Sequence, residues 1–140
     1  MPEEKNSMVF DTGGFHLELR AKIYKEDPVV NNVSMFVKVE SSGFAGTMEM
    51  DVGSVDLDSF IQDVLNMNKY LKGKAGIEEP YGDHCFIALE IDKSGHVTVS
   101  GMLRVRTQRL EFENSFDQTY LAVLAKKLTQ TDMWQEIDNA

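Results

Sequence analysis

Phe112-Glu113-Asn114-Ser115-Phe116-Asp117-Gln118-Thr119-Tyr120-Leu121 is the stretch on which the fold turns. Its first half alternates, with Leu110, Phe112, Asn114 and Phe116 on one side and Glu111, Glu113 and Ser115 on the other. Period two is the mark of a strand with one buried and one wet face. At Asp117 the period changes, and Tyr120, Leu121, Leu124, Ala125 and Leu128 recur at helical steps. A strand therefore runs directly into an amphipathic helix. Asp117 is placed to accept from amides of the first turn, and Phe116 to pack on Leu121 as a hydrophobic staple. Lys126 and Lys127 suit the negative end of the helix dipole.

Upstream, His96 to Val105 alternates Val97, Val99, Gly101, Leu103 and Val105 with His96, Thr98, Ser100, Met102 and Arg104. The turn Asp92-Lys93-Ser94-Gly95 is a strong hairpin signal, and Cys85 to Asp92 before it is an apolar run. The first half of the chain has the same grammar. Phe15, Leu17, Leu19, Ala21 and Ile23 alternate with His16, Glu18, Arg20, Lys22 and Tyr24. After a loop at residues 25 to 32, Val33, Met35, Val37 and Val39 mark a second strand, ending in Ser41-Ser42-Gly43. A third runs from Phe44 to Val52, with Phe44, Gly46, Met48 and Met50 inward. Leu57, Phe60, Ile61, Val64, Leu65 and Leu71 then form a helical stripe, with Asp56 or Asp58 as N-cap and Gly73 as the stop.

The expected fold is α+β: two β-β-β-α units, about six antiparallel strands in one curved sheet or half-barrel, and two helices packed on one face. Whether the halves are related by duplication stays open, since they match in pattern and not in identity. Residues 1 to 14 read as a flexible lead-in, 15 to 130 as a single domain, and 131 to 140 as a C-terminal tail. Ala75 to His84 reads as the longest interior connection. Its cluster Glu78-Glu79-Pro80-Tyr81-Gly82-Asp83-His84 is the first place to look for a functional loop.

With 140 residues, 42% of them hydrophobic, the chain can bury a core without staples. The start Met1-Pro2-Glu3-Glu4-Lys5 lacks a basic region followed by an apolar run, and no segment approaches the roughly 18 apolar residues of a membrane span. A cytoplasmic location is the expectation, and Cys85, inside an apolar run, reads as a buried, unreactive thiol. The net charge of −9 speaks against binding nucleic acid through phosphates, or anionic membranes. It suits a basic protein partner, attracted and steered by the field. Glu18, Glu40, Glu49, Asp51, Glu111 and Glu113 fall on the outward sides of strands, so a polar sheet face is the candidate docking patch. Glu78, Glu79 and Tyr81 of the connection join it as candidates. Arg20, Lys22, Lys38, Arg104 and Arg106 dilute it.

The three histidines, His16, His84 and His96, show no metal-ligand spacing. Asp83-His84 and the pair Asp117 and Tyr120 have the residue types of a site; loop-end placement explains the first, and capping and packing the second. Met35, Met48, Met50 and Met67 fall at core periods. The chain carries no phosphate-binding glycine loop and no nucleophile elbow. No catalytic residue, cofactor or metal is expected.

Several segments together carry a likeness: the opening strand of Phe-x-Leu-x-Leu type at Phe15, the turn Gly43-Phe44-Ala45-Gly46, the helix start Asp56-Leu57-Asp58, and Phe112 to Leu121. In these the chain resembles the WapI-type family of small bacterial proteins, proposed as immunity proteins that neutralise a secreted toxin of the same cell line. Met35-Phe36 stands where that family carries a Trp. The resemblance covers residues 15 to 130 and implies a non-catalytic protein binder in a toxin–antitoxin system. It carries over no catalytic residue. An acidic chaperone for a secreted effector is the alternative, and a small-ligand binder or hydrolase built on the Glu78–His84 loop a further one.

Overall fold

The structure, a computed structural model, describes residues 7–24, 33–82, 84–130 and the backbone of 134–137. The elements in chain order are β1 (Met8–Asp11), β2 (Phe15–Tyr24), β3 (Val33–Ser41), β4 (Phe44–Val52) and α1 (Ser54–Tyr70). There follow β5 (Gly73–Glu78), β6 (Phe86–Ile91), β7 (His96–Val105), β8 (Gln108–Asp117), α2 (Thr119–Leu128) and β9 (Trp134–Ile137). The class is α+β, and each half reads β-β-β-β-α.

The single six-stranded sheet is corrected to two sheets. The first has the order β1-β2-β3-β4, all antiparallel, with β9 added parallel to β2 beyond the end of β1. The second has the order β5-β6-β7-β8, again antiparallel. The extra strands come from segments expected to be irregular. Met8–Asp11 lies inside the expected lead-in, and Met8 and Phe10 are buried opposite Leu19 and Leu17. Gly73–Glu78 takes in the first four residues of the expected interior connection, with Ala75 and Ile77 turned inward. Trp134–Ile137 lies in the expected tail. The loop expected at 25 to 32 lies outside the described residues.

The alternation holds in the long strands. Phe15, Leu17, Leu19 and Ala21 of β2 and Val33, Met35, Val37 and Val39 of β3 are buried. Phe44 departs from it: expected inward, it is 70% exposed, because β4 begins beyond the end of the core. Val105, at the far end of β7, is 47% exposed for the same reason. At the β3–β4 turn Ser42 and Gly43 both take positive φ (52° and 89°), the left-handed pair that a two-residue hairpin favours.

Helix α1 buries Leu57, Phe60, Val64 and Met67, and α2 buries Leu121, Leu124, Ala125 and Leu128. The N-cap of α1 is Gly53, not Asp56 or Asp58: its carbonyl accepts from the Leu57 amide at 3.0 Å. Asp56 falls in the first turn, where its charge faces the positive end of the dipole. The helix stops at Leu71, whose φ of 56° turns it outward, and Gly73 (φ 105°) completes the reversal into β5. α1 lies against β5 and α2, and α2 against β1 and β8. Among the described residues, the buried apolar side chains belong to one core.

Aromatic contacts join the halves. Phe15 of β2 stacks on Phe112 of β8 with centroids 5.9 Å apart, and Phe10 of β1 meets Phe116 edge-on at 5.3 Å. Asn114, on the inward side of β8, donates through Nδ2 to the Gly14 carbonyl and to Ser41 Oγ, both at 2.9 Å. That pairing gives a polar side chain on a core face its partners. Among the described residues, no helix is long and apolar enough to cross a membrane.

Three exposed aspartates hold junctions. Asp11 has its carboxyl below the usual range through hydrogen bonds from His16 and the Gly13 amide. Asp92 is lowered by the Ser94 hydroxyl and the amides of His96 and Ser94. Asp117 is lowered by the Thr119 amide and hydroxyl, which ties β8 to α2. A carboxyl with a depressed folded pKa adds stability above its unfolded pKa and loses it as pH falls through the folded one. The thermal midpoint is therefore expected to hold above about pH 5 and to drop as pH falls below about 4. Replacing Asp11, Asp92 and Asp117 together with Asn should flatten that acid limb, measured by circular dichroism melts. An unchanged limb would show that the three junctions contribute nothing.

Candidate interaction surface

Strand register decides which outward residues share a face. On the first sheet, Asp11, His16, Glu40 and Ala45 form one row, Val9, Glu18, Lys38 and Thr47 the next. Arg20, Phe36 and Glu49 follow, then Lys22, Ser34 and Asp51. Acids and bases alternate across this face and neutralise one another. Lys38 Nζ is 3.6 Å from Glu40, Arg20 is 4.0 Å from Glu18, and the Arg20 guanidinium stacks 4.2 Å over Phe36. His16 Nδ1 stands 2.9 Å from Asp11 Oδ2. Glu18 is thus paired, and Glu49 accepts from Ser34 Oγ at 3.2 Å.

The outer face of the second sheet is different. Its rows are Glu78–Phe86–Met102–Glu111, Gly76–Ala88–Ser100–Glu113 and Lys74–Glu90–Thr98–Ser115. Glycine, alanine and serine side by side leave a depression across three strands. With Asp63 of α1, Lys74 and Glu90 at its sides, the depression encloses about 340 Å³. Phe86 and Met102 are half-buried beside it. Glu78, Glu90, Glu111 and Glu113 are exposed around this small and apolar centre. The arrangement is an apolar floor with a mainly acidic rim, interrupted by Lys74 and, one row beyond Glu111, by Arg104 and Arg109. It is the layout of a surface that docks a cationic, partly apolar partner.

The predicted patch is therefore divided. Glu18, Glu49 and Asp51 lie on the first sheet, and Glu78, Glu111 and Glu113 on the second. Glu79 bridges the two: its Oε2 accepts from the Asp51 amide of β4 at 3.0 Å, while its own amide donates to the Cys85 carbonyl. Tyr81 is 70% exposed in the shortened loop after β5. His84 Nδ1 is 3.2 Å from Glu78, both groups exposed, as its reading as a loop-end histidine implies, and its sequence neighbour Asp83 lies outside the described residues. Asp117 is engaged with Thr119 and Tyr120 packs edge-on against Phe10 and Phe116. His96 Nδ1 is 3.0 Å from Ser94 Oγ. Cys85 is buried.

The depression of the second sheet is not legible in the sequence, where Gly76 has the composition of a loop around it. The signal was present: Gly76, Ala88 and Ser100 are all small outward residues, but only register shows that they are neighbours. Among the described residues no group of three or more His, Cys, Asp or Glu side chains could hold a metal ion. Compared with known proteins, the chain matches no family model and no curated protein sequence.

Proposed function

We propose that this chain is a non-catalytic protein-binding domain that captures a basic partner on the outer face of its second sheet, in the manner of an immunity protein neutralising a cognate toxin. The observation that carries the reading is the acidic rim of Glu78, Glu90, Glu111 and Glu113 around Phe86, Met102 and the small-residue depression. Carboxylates at the rim speed encounter with a cationic surface, and the central apolar residues supply the desolvated contact that slows release. The net charge of −9 adds a long-range field of the same sign. The toxin as partner follows from the family likeness, and a cytoplasmic setting goes with it.

The test is co-purification of the tagged protein with polypeptides encoded beside its gene, at low and at high salt. A single basic partner, released by salt, is the expected result. Reversing Glu111 and Glu113 to Lys should weaken that complex by about tenfold or more, mainly through association rate. Reversing Glu18 and Glu40 on the first sheet should change it little. Equal losses from both pairs, or binding indifferent to salt and charge, would sink the proposal.

A further inference from the structure

One end of the molecule carries the opposite charge. Arg104 and Arg109 are directly opposed across β7 and β8, and Arg106 sits at the turn between them. Like charges facing each other across a strand pair are unfavourable for the hairpin itself. Arg106 also holds a φ of 59°, a left-handed backbone that glycine or asparagine would ordinarily occupy in so short a turn. The Arg104 Nε donates to the Arg106 carbonyl at 2.9 Å, which fixes the first guanidinium beside the third residue of the cluster. Glu111 offsets Arg109 at 3.2 Å, with both groups more than half exposed. In a chain of net charge −9, three arginines gathered on one hairpin tip are a local reversal of the overall field.

Beside this tip runs a groove of about 280 Å³, between the start of β4 and the β7–β8 hairpin. Its floor is apolar: Leu103 is buried, Leu110 half-buried, and Gly46 lies so close that an added Cβ would stand 3.1 Å from Leu110. Phe44 and Val105, 70% and 47% exposed, stand at its lips. The β4 wall lies at the end of its sheet. The Asp51 amide, bonded to Glu79 and not to β3, shows which way the alternate amides of β4 point. Ala45 and Thr47, an even number of residues away, present their amides on that same outward side. An unpaired strand edge next to an apolar floor is a template for a further strand.

We propose that this groove binds an extended acidic peptide segment of a partner protein, whose backbone pairs with the edge of β4 at Ala45 and Thr47. Its apolar side chain lies between Phe44 and Val105, and its carboxylates meet Arg104, Arg106 and Arg109. The arginines stand one row beyond the Met102–Glu111 row of the acidic-rimmed face, with Arg109 paired to Glu111, and the site selects for the opposite charge.

The test uses the full chain and a fluorescein-labelled peptide alternating glutamate with leucine, followed by anisotropy. Controls are the lysine–leucine counterpart, a glutamate–leucine peptide N-methylated at alternate residues, and a labelled single-stranded oligonucleotide. Saturable, salt-sensitive binding of the first peptide, with loss of at least about tenfold for the N-methylated one, is the expected result. A double variant, Arg106→Gly with Arg109→Ala, should weaken binding by at least about tenfold. Arg106→Gly relieves the left-handed strain, so its melting temperature should not fall, which separates lost binding from lost folding. No saturable binding, equal binding of the lysine peptide, preference for the oligonucleotide, or an unaffected double variant would each overturn the assignment.

Discussion

Replacing Phe10 with alanine is expected to destabilise the protein by about 3–5 kcal/mol, the usual cost of deleting a buried phenylalanine. The ring is 1% exposed and lies between the two halves: its centroid is 5.3 Å from Phe116 at the end of β8 and 6.3 Å from Tyr120 at the start of α2. Phe116 and Tyr120 are themselves 6.1 Å apart, so the three rings form a closed set of edge contacts. Removing the middle ring leaves a cavity between elements from opposite ends of the chain, which local collapse cannot fill. A domain of ordinary stability has about 5–15 kcal/mol in total, so the loss is a large share of it. Urea denaturation reads it directly, with a Tm drop of roughly 10–15 °C expected alongside. Val9, the neighbouring residue on the outer side of β1 and 39% exposed, serves as control. Its change to alanine should stay within about 0.5 kcal/mol. A loss below about 1 kcal/mol for Phe10→Ala would return Met8–Asp11 to the status of a lead-in and remove β1 from the core.

That outcome bears on what a sequence can show. The strands β2, β3, β7 and β8 are nine or ten residues long. Each repeats its alternation enough times to be read without the structure. β1 has four residues and two inward positions, too few for a period to register. β5 hides differently. Gly73-Lys74-Ala75-Gly76-Ile77-Glu78 contains two glycines and one large apolar residue, the composition of a connection. It becomes a strand because β6 offers an edge for it and α1 packs alongside, which are tertiary reasons.

The division into two sheets was illegible for a related reason. Alternation tells which side of a strand faces the core, and says nothing about which strands are neighbours. The chain passes through α1 between β4 and β5 and starts a fresh sheet, yet the inward sets of both sheets are equally apolar. The candidate surface inherits that ambiguity. Glu49 and Glu113 were each correctly outward, but they belong to different faces, and only Glu113 borders the small-residue depression. Charge sign and outwardness were therefore readable, and adjacency was not.

Gly101→Ala is expected to cost about 3 kcal/mol, the upper part of the range for overpacking a filled interior. Its backbone is ordinary extended strand, so the penalty is one of space and not of conformation. A Cβ built there would lie 2.4 Å from the Phe86 carbonyl oxygen of β6 and 2.5 Å from Cζ of Phe112. The ring could swing, but it is held by its stacking on Phe15, and the carbonyl belongs to the backbone of a central strand. Gly76, one strand beyond β6, supplies the opposite case: its added Cβ meets nothing nearer than 3.4 Å. There alanine should be neutral or gain up to about 1 kcal/mol, because glycine is the poorer strand residue. Urea midpoints of the two variants should therefore move in different directions or by very different amounts. Pairing Gly101→Ala with Phe112→Leu gives the deciding comparison. Trimming the ring removes one of the two clashes, so the double variant should be more stable than the sum of the single losses predicts. It should not return to the wild-type value, because the carbonyl clash persists and the Phe15 contact is gone. Full additivity of the two losses would mean that the ring and the missing Cβ do not share the same space.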